Sequence, residues 1–379
     1  MREWLQNEKL QRMAEKISTV TFYAALLIEL TLVILDKSDY ITRYEGLWFR
    51  LTFVLTGISL ITTKHRMREW IALFVFAAMG VISYMVTDRN EILRFVVFIF
   101  ACQGKDIKKA LKITFLYTLA GCLLLVVLSL TGIHGTVALT QTYREVEETR
   151  YCFGMGHPNA FHCMVFALTL LGVYCYHERL RWKGYLLLFL LHTGVFYFTD
   201  SRAGLLVSLG ALLLFVLLTY VPFLQTWKWS YLAGIAFITG AVLLSVAMAA
   251  YSTNLPLFAK LDVFLTGRIF ALLDSTYDEG MLNTWFLWGA ARNTKYFDLG
   301  IVRVFYWFGI LPGITYYLAQ CRLLWCGFKK HDYMLLAVVV TITAYSIFEA
   351  HFVSVYIGRN YIFLFLGMYL TELLGGKEA

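Results

Sequence analysis

Residues 17–35 read ISTVTFYAALLIELTLVIL, an apolar run whose only charged residue is Glu29. A helix of about 20 apolar residues crosses the hydrocarbon core of a bilayer, so this run predicts a membrane-spanning helix. The 16 residues before it are rich in charge, and the run is longer than the apolar part of a cleavable signal peptide. We therefore expect a retained transmembrane helix here.

The rest of the chain has the same character. Of its 379 residues 59% are hydrophobic and 15% are charged, whereas a soluble domain is about 25% charged. The apolar windows predict about twelve spans (ten to twelve), at 17–35, 47–62, 70–87, 92–104, 111–133, 158–176, 185–199, 203–222, 231–250, 301–321, 333–348 and 360–375. We expect an all-α polytopic membrane protein, with one domain over residues 1–379.

Lysine and arginine predict the orientation of these spans. They lie in the first 16 residues and in the loops at 63–69, 105–112, 177–184 and 329–330. All these segments fall on one side if the spans alternate, and the positive-inside rule makes that side cytoplasmic. Both termini are then cytoplasmic. Because the net charge of +8 is spread over short loops, it does not indicate nucleic-acid binding.

The opposite side receives the longer loops, at 134–157, 251–300 and 349–359. The loop at 251–300 is rich in aromatic residues, so we expect it to be folded. The cytoplasmic loops are too short for a catalytic domain, and no glycine-rich phosphate loop is present. Function is therefore expected on the outer face.

Cysteine and histidine usage predicts neither disulfides nor a metal site. The seven cysteines are scattered and lie mostly inside apolar runs. Cys152, His157, His162 and Cys163 lie close together in the sequence, but their spacing fits no common zinc pattern. We expect no metal and no cofactor.

Polar residues open two of the predicted spans on the outer side. In Gly156-His157-Pro158-Asn159, the proline suits the first turn of a helix, and the positive helix end beside His157 favours an anion such as phosphate. Arg150 lies a few residues upstream. The alternative is an ordinary capped helix start with an incidental histidine.

Asp200-Ser201-Arg202 is the second such motif. Ser201 or Asp200 would cap the next helix, and Arg202 would face the same boundary as His157. The alternative is that Arg202 extends to the interface or pairs with Asp200. In the long loop, Thr266-Gly267-Arg268 repeats the pattern of a cap-like residue before an arginine, with a solvated arginine as the alternative.

The last outer loop contains Glu349, His351, Arg359 and Asn360. In an extended turn Glu349 and His351 would share a face, so that the carboxylate could orient the imidazole as a base. The alternative is a polar turn that closes a helix. Within the membrane, a buried charge needs a partner, and Arg50 is a conceivable partner for Glu29.

In their order, these motifs resemble the O-antigen ligase and capsular polysaccharide polymerase superfamily of bacterial inner membranes. The resemblance covers roughly residues 110–370. It rests on Arg150, Gly154-Met155-Gly156-His157-Pro158-Asn159, Thr199-Asp200-Ser201-Arg202, Thr266-Gly267-Arg268 and Glu349 with His351. The Ser-Arg and Gly-x-His-Pro-Asn elements are moderately specific together. The chain departs from the family in having no second arginine–histidine cluster in the long loop.

The resemblance implies an integral membrane glycosyltransferase of GT-C-like architecture. It would transfer a glycan from undecaprenyl diphosphate to a hydroxyl of an acceptor glycan at the outer face. Arginines would neutralise the diphosphate, and the candidates are Arg150, Arg202 and Arg268. His351, oriented by Glu349, would be the base and His157 the second candidate. Asn159, Ser201 and Arg359 would position the substrate.

The resemblance leaves the acceptor open. A polymerase uses a lipid-linked repeat unit and a ligase uses a lipid or cell-wall acceptor; the Glu-x-His ending favours the polymerase. Membrane lipid, a chain-length regulator and a flippase are the implied partners. A flippase for the same lipid-linked oligosaccharide is the alternative from another class, although the two halves of the chain show no repeat. A structural or sensory protein would not explain basic groups at helix starts on one face.

Overall fold

The computed structural model describes residues 8–38, 40–143, 146–273 and 280–376. The first seven residues, on which the predicted cytoplasmic N-terminus partly rests, lie outside this set. The described helices are α1 Glu8–Lys37, α2 Glu45–Thr62, α3 Met67–Thr87, α4 Glu91–Ala101, α5 Ile107–Leu130, α6 Pro158–Tyr176, α7 Trp182–Thr199, α8 Arg202–Tyr220, α9 Pro222–Thr226, α10 Lys228–Tyr251, α11 Pro256–Phe264, α12 Gly300–Phe308, α13 Ile310–Lys329, α14 Tyr333–Phe348, α15 Ile362–Met368 and α16 Leu370–Leu373. Strands β1, Ala138–Tyr143, and β2, Val146–Tyr151, form an antiparallel hairpin.

Helices make up 75% of the structure. Six helices among the described residues are long and apolar enough to cross a membrane: α1, α3, α5, α6, α8 and α10, the last continued to Asn254. Helix α14 is apolar but shorter. The chain thus has the build of an all-α membrane protein, as the sequence predicts.

Two predicted spans are shorter than expected. The span predicted at 92–104 is α4, with 11 residues, and the one predicted at 360–375 is divided between α15, with 7 residues, and α16. At 1.5 Å per residue, α4 is about 16 Å long, roughly half of a bilayer core. Helices α4 and α15 pack against each other inside the bundle, so neighbouring helices cover their apolar residues.

The span predicted at 301–321 is also two helices. The chain breaks between α12 and α13 at Gly309, whose φ is 97°. A side chain at Gly309 would lie 2.5 Å from the backbone of Trp288, so this crossing requires glycine. A Cβ atom at Gly300, at the start of α12, would lie 2.9 Å from the carbonyl oxygen of Glu349. The predicted span is therefore divided at Gly309 between α12 and α13.

The hairpin was not predicted. β1 and β2 pair in register, with Leu139 opposite Arg150, and Thr140 Oγ1 lies 2.9 Å from Thr149 Oγ1. Threonine, valine and tyrosine favour strands, and this composition was the available signal. The hairpin places Arg150 at the penultimate position of β2, beside the start of α6.

A buried ion pair fastens three helices to the last loop. Glu29 is fully buried and accepts hydrogen bonds from Arg94 Nη2 at 2.8 Å and Thr52 Oγ1 at 2.7 Å. Its other oxygen accepts from the backbone N–H of Ile357 at 3.2 Å. Arg50 is exposed, so the suggested pair with Glu29 is wrong. The partner comes from α4, whose predicted span already contained Arg94.

The described parts of the long loop, 251–273 and 280–300, are folded as expected. Helix α11 and three short 3-10 turns bury apolar side chains in the same core as the helices. Asp262 Oδ1 accepts hydrogen bonds from the backbone N–H groups of Ile269, at 2.6 Å, and Phe270. Asp262 therefore caps the turn after Arg268, whereas the hydroxyl of Thr266 bonds to the neighbouring carbonyl of Leu265. The expected capping role of Thr266 is wrong.

The bundle has two chemically different ends, which α5 and α6 connect. Where α5 ends and α6 begins, Gly154 packs so closely on the carbonyl of Leu125 that a Cβ atom would lie 2.8 Å from its oxygen. At the other end, the start of α5 and the end of α6 line a groove of about 1010 Å³. Basic residues of α5 and of the loops beside it lie in this groove: Arg66, Lys105, Lys108, Lys112 and Lys330.

Candidate active site

A cavity of about 320 Å³ lies where α6 and α8 begin, at the end of the bundle away from the basic groove. Residues from the hairpin, both helix starts and the loop after α11 line it. Six of the residues selected from the sequence are among them: Arg150, His157, Asn159, Ser201, Arg202 and Arg268. Residues more than 100 positions apart in the chain thus meet at one site.

The Gly-His-Pro-Asn motif forms the first wall. His157 is the N-cap of α6, its Nδ1 accepts a hydrogen bond from the backbone N–H of Asn159 at 3.2 Å, and Pro158 occupies the first turn. Arg150 donates from Nε to the carbonyl of Thr199 at 2.7 Å and from Nη2 to Asn159 Oδ1 at 3.0 Å. The motif is therefore a capped helix start that also holds an arginine at the cavity.

Helix α8 brings the second motif to the same place. A Cβ atom at Gly204 would lie 2.8 Å from the ring of His162 on α6, so glycine allows the two helix starts to approach. Ser201 is buried at the N-cap position, but its side chain makes no capping hydrogen bond. The expected cap is therefore wrong, and so is Asp200 as a cap, because it ends α7 in a left-handed conformation with φ of 45°.

Arg202 is the most exposed of the three cavity arginines. Its side chain is 66% exposed, and Nη2 lies 3.8 Å from Asp200 Oδ2. An exposed pair at this distance contributes little. The alternative pairing with Asp200 is thus present, but it leaves Arg202 able to turn towards an anion in the cavity.

Arg268 and Glu349 form the back of the site. Arg268 donates from Nη2 to Glu349 Oε1 and from Nε to Asp298 Oδ2, the latter at 3.2 Å. Asn159 Nδ2 donates to the same Glu349 oxygen at 3.3 Å. A continuous polar chain therefore runs from Arg150 through Asn159 and Glu349 to Arg268 and Asp298.

Burial changes the acid–base properties of this chain. Burial, together with the charge of Asp298, raises the pKa of Glu349 to about 7 against the opposing charge of Arg268. Burial lowers the pKa of Arg268, but the carboxylates of Glu349 and Asp298 outweigh this effect, so that its pKa is raised overall. Burial and the charge of Arg150 lower the pKa of His157. The site thus holds permanent cations beside a carboxyl group that titrates near neutrality.

His351 and Arg359 lie outside the cavity lining. His351 is buried and contacts the ring of Phe352 edge-on, and among the described residues no hydrogen bond joins it to Glu349. Glu349 bonds instead to Arg268 and Asn159, so the expected orientation of His351 by Glu349 is not present. Burial, then the charges of Lys37 and Arg303, hold the pKa of His351 well below its usual value.

Arg359 has a partner of its own. Its guanidinium forms an ion pair with Asp36 and lies over the ring of Tyr356, 4.8 Å from the centroid. Burial lowers the pKa of Arg359 to about 9. The predicted role in positioning the substrate gains no support from this placement.

Two charged groups near the site were not predicted as functional. Asp298 holds Arg268, as described above. Lys37 is the last residue of α1; its side chain is 14% exposed, and its charge lowers the pKa values of both His157 and Glu349. The available signal was its position, directly after the first apolar run.

The cavity also has an apolar rim. Leu206, Val263 and Phe264 line it and are 52%, 66% and 56% exposed. Three guanidinium groups, two helix N-termini and exposed apolar side chains at one opening suit an amphiphile with an anionic head.

Comparison of the chain with protein-family models, curated proteins and solved structures finds no match.

Proposed function

We propose that the protein is a polysaccharide polymerase. It transfers a glycan from an undecaprenyl diphosphate carrier to a hydroxyl of a lipid-linked repeat unit at the outer face of the bacterial cytoplasmic membrane. The observation that carries the proposal is the convergence of Arg150, Arg202 and Arg268 on one cavity with an apolar rim. The resemblance of the sequence motifs supplies the reaction class.

The chemistry required matches this arrangement. The bond between the anomeric carbon and the diphosphate oxygen breaks, a bond to the acceptor oxygen forms, and negative charge develops on the leaving diphosphate. Arginine binds phosphate oxygens in a bidentate manner, and cations fixed where charge develops stabilise the transition state. The apolar rim would contact the first isoprene units of the carrier.

The separation of the two bundle ends supports the proposed orientation. Lysine and arginine residues from three predicted cytoplasmic segments (63–69, 105–112 and 329–330) line one groove, and the cavity lies at the other end of α5 and α6. The positive-inside rule then places the cavity outside and both termini in the cytoplasm. The proposal includes about twelve membrane passages and a GT-C-like architecture, with some passages made of paired short helices.

The test replaces Arg202 with Ala and with Lys in the native host, followed by analysis of the polysaccharide and its lipid-linked precursor. Loss of long polymer with single repeat units on the outer leaflet is the expected result for both variants, because lysine lacks the bidentate fork. Arg179→Ala, an exposed arginine in the loop before α7, is the matched control. Its polymer should be normal.

Other outcomes identify other functions. Full-length chains that remain on the carrier would indicate the ligase. Repeat units trapped on the inner leaflet would indicate the flippase. Unchanged polymer with normal protein level would remove Arg202 from the site.

A further inference from the structure

Glu349 is hydrogen-bonded to Arg268, which lines the cavity. Arg268 lines the cavity, whereas Glu349 lies behind it with a side chain that is 8% exposed. Both hydrogen bonds to the carboxylate, from Arg268 and Asn159, end on Oε1. Oε2 accepts no hydrogen bond from the described residues. The group therefore has one free oxygen, and Arg268 stands between it and the cavity.

We propose that Glu349 is the proton acceptor of the transfer. Arg268 stays hydrogen-bonded to it until the diphosphate of the donor binds this arginine instead. The inference rests on the function proposed above and deepens it. It assigns the base, and it makes exposure of the base depend on binding of the donor.

The exchange follows from competition for one guanidinium. A diphosphate in the cavity offers Arg268 several charged oxygens, against the single oxygen it shares with Asn159 at Glu349. Because Asp298 accepts a separate hydrogen bond from Nε, Arg268 can exchange its bond to Glu349 for one to the diphosphate and remain anchored. Glu349 then loses its covering cation only when a donor is present.

The proton balance of the step is simple. The acceptor hydroxyl gives its proton to Glu349 as its oxygen bonds to the anomeric carbon. The electrons of the broken carbon–oxygen bond leave with the carrier diphosphate, which the arginines hold. Release of the proton to water returns Glu349 to the carboxylate, and departure of the carrier returns Arg268 to it.

The surroundings of Glu349 suit proton transfer near neutral pH. Its pKa is raised to about 7 by burial, against the charge of Arg268. The charged and titratable groups that act on it, or on which it acts, come from α1, α6, α12, α14 and the long loop: Lys37, Cys163, Arg268, Tyr296, Asp298, Arg303 and Tyr345. Loss of the Arg268 pair makes the carboxylate a stronger base.

His351 is less suited to this role. It lies outside the cavity lining, and two cations, Lys37 and Arg303, act together with burial to keep its pKa far below neutrality. A group with so low a pKa is a weak proton acceptor. His157 does line the cavity, but its Nδ1 already accepts the Asn159 N–H.

The experiment compares binding with turnover in Glu349→Gln. The full chain in nanodiscs is titrated with undecaprenyl diphosphate, and polymer formation is measured in host membranes over a range of pH. Polymer formation should fall at least about 100-fold at every pH. Undecaprenyl diphosphate should bind several-fold more tightly, because glutamine competes poorly for Arg268.

Two further variants make the result specific. Glu349→Asp retains a carboxylate and should keep measurable turnover with a changed pH profile. Glu178→Gln, the same change at an exposed position at the far end of the bundle, should leave binding and turnover unaltered. Retained turnover in Glu349→Gln would overturn the proposal, and so would joint loss of binding and turnover.

Failure of the proposed function gives a different result. The wild-type chain would then not bind undecaprenyl diphosphate, and Arg202→Ala would not alter the polymer. If the wild-type chain binds and transfers but Glu349→Gln behaves like it, only the assignment of the base is wrong.

Discussion

Glu29 and Glu349 are both buried carboxylates paired with arginine, but they differ in the use of their oxygens. Glu29 accepts three hydrogen bonds over both oxygens, and Arg94 is further held by the carbonyl of Val355 and the ring of Phe49. Glu349 leaves one oxygen free, beside a cavity. The carboxylate of Glu29 is thus fully bonded without a ligand and that of Glu349 is not, while Arg94 Nε has no hydrogen-bond partner among the described residues. A carboxylate with both oxygens bonded serves the fold, whereas one with a free oxygen beside a cavity is a candidate for function.

The largest effect is expected from breaking the ion pair between Glu29 and Arg94. Glu29→Ala leaves Arg94 charged in the interior, and removal of one partner of a buried pair costs about 3–5 kcal/mol. The melting temperature of the detergent-solubilised protein should fall steeply. The matched double variant, Glu29→Ala with Arg94→Leu, should recover part of the loss because no charge remains unpaired.

Equal melting temperatures of the wild-type protein and Glu29→Ala would contradict this view of the pair. A double variant no better than the single one would show that the hydrogen bonds to Thr52 and Ile357, rather than the charge of Arg94, dominate.

Breaking the ion pair between Arg268 and Glu349 should affect function more than folding. In Arg268→Ala, Glu349 can take up a proton because its pKa is already about 7, so no buried charge remains. Loss of a cation from the diphosphate site should reduce polymer formation about 10²- to 10³-fold. Melting temperature and polymer are measured together. A fall in stability as large as that of Glu29→Ala would contradict the distinction.

The sequence predicts which residues line the cavity better than it predicts the partners of Glu29. Arg150, His157, Asn159, Arg202 and Arg268 could be selected because each stands at the start of an apolar run or in a predicted outer loop, and the structure brings them together. Such positions can be recognised from the sequence alone. The helical class was predictable for the same reason, since apolar length alone predicts it.

Contacts between distant segments were not predictable. Glu29 could not be matched to Arg94 without knowing that the short α4 lies between α2 and α3. Glu349 could not be matched to Arg268 without the path of the long loop. The break at Gly309 depends on the backbone of Trp288, more than 20 positions away, and the apolar pattern continues through it.

A smaller effect is expected from Lys37. The carboxylate form of Glu349 is required of a base, so polymer formation at low donor concentration, which reports the donor-free protein, should fall as the pH drops through about 7. Lys37 lowers the pKa of Glu349, so Lys37→Met should move this fall upward, by less than about 1 pH unit. Lys37→Arg retains the charge and should leave the profile in place. An unchanged or downward-shifted profile in Lys37→Met would contradict the link between the two groups.

The smallest effects are expected at two helix starts, one with a side-chain capping hydrogen bond and one without. Ser201 is buried at the start of α8 but makes no capping hydrogen bond, whereas Asp106 Oδ1 caps α5 by accepting from the Lys109 N–H at 2.9 Å. Asp106→Ala should therefore lower the stability by about 1 kcal/mol, and Ser201→Ala by less, because it removes no capping hydrogen bond. Thermal unfolding of both variants measures the difference. Because Ser201 lines the cavity, Ser201→Ala should weaken binding of undecaprenyl diphosphate more than Asp106→Ala does; the reverse order would assign Ser201 to the fold and not to the site.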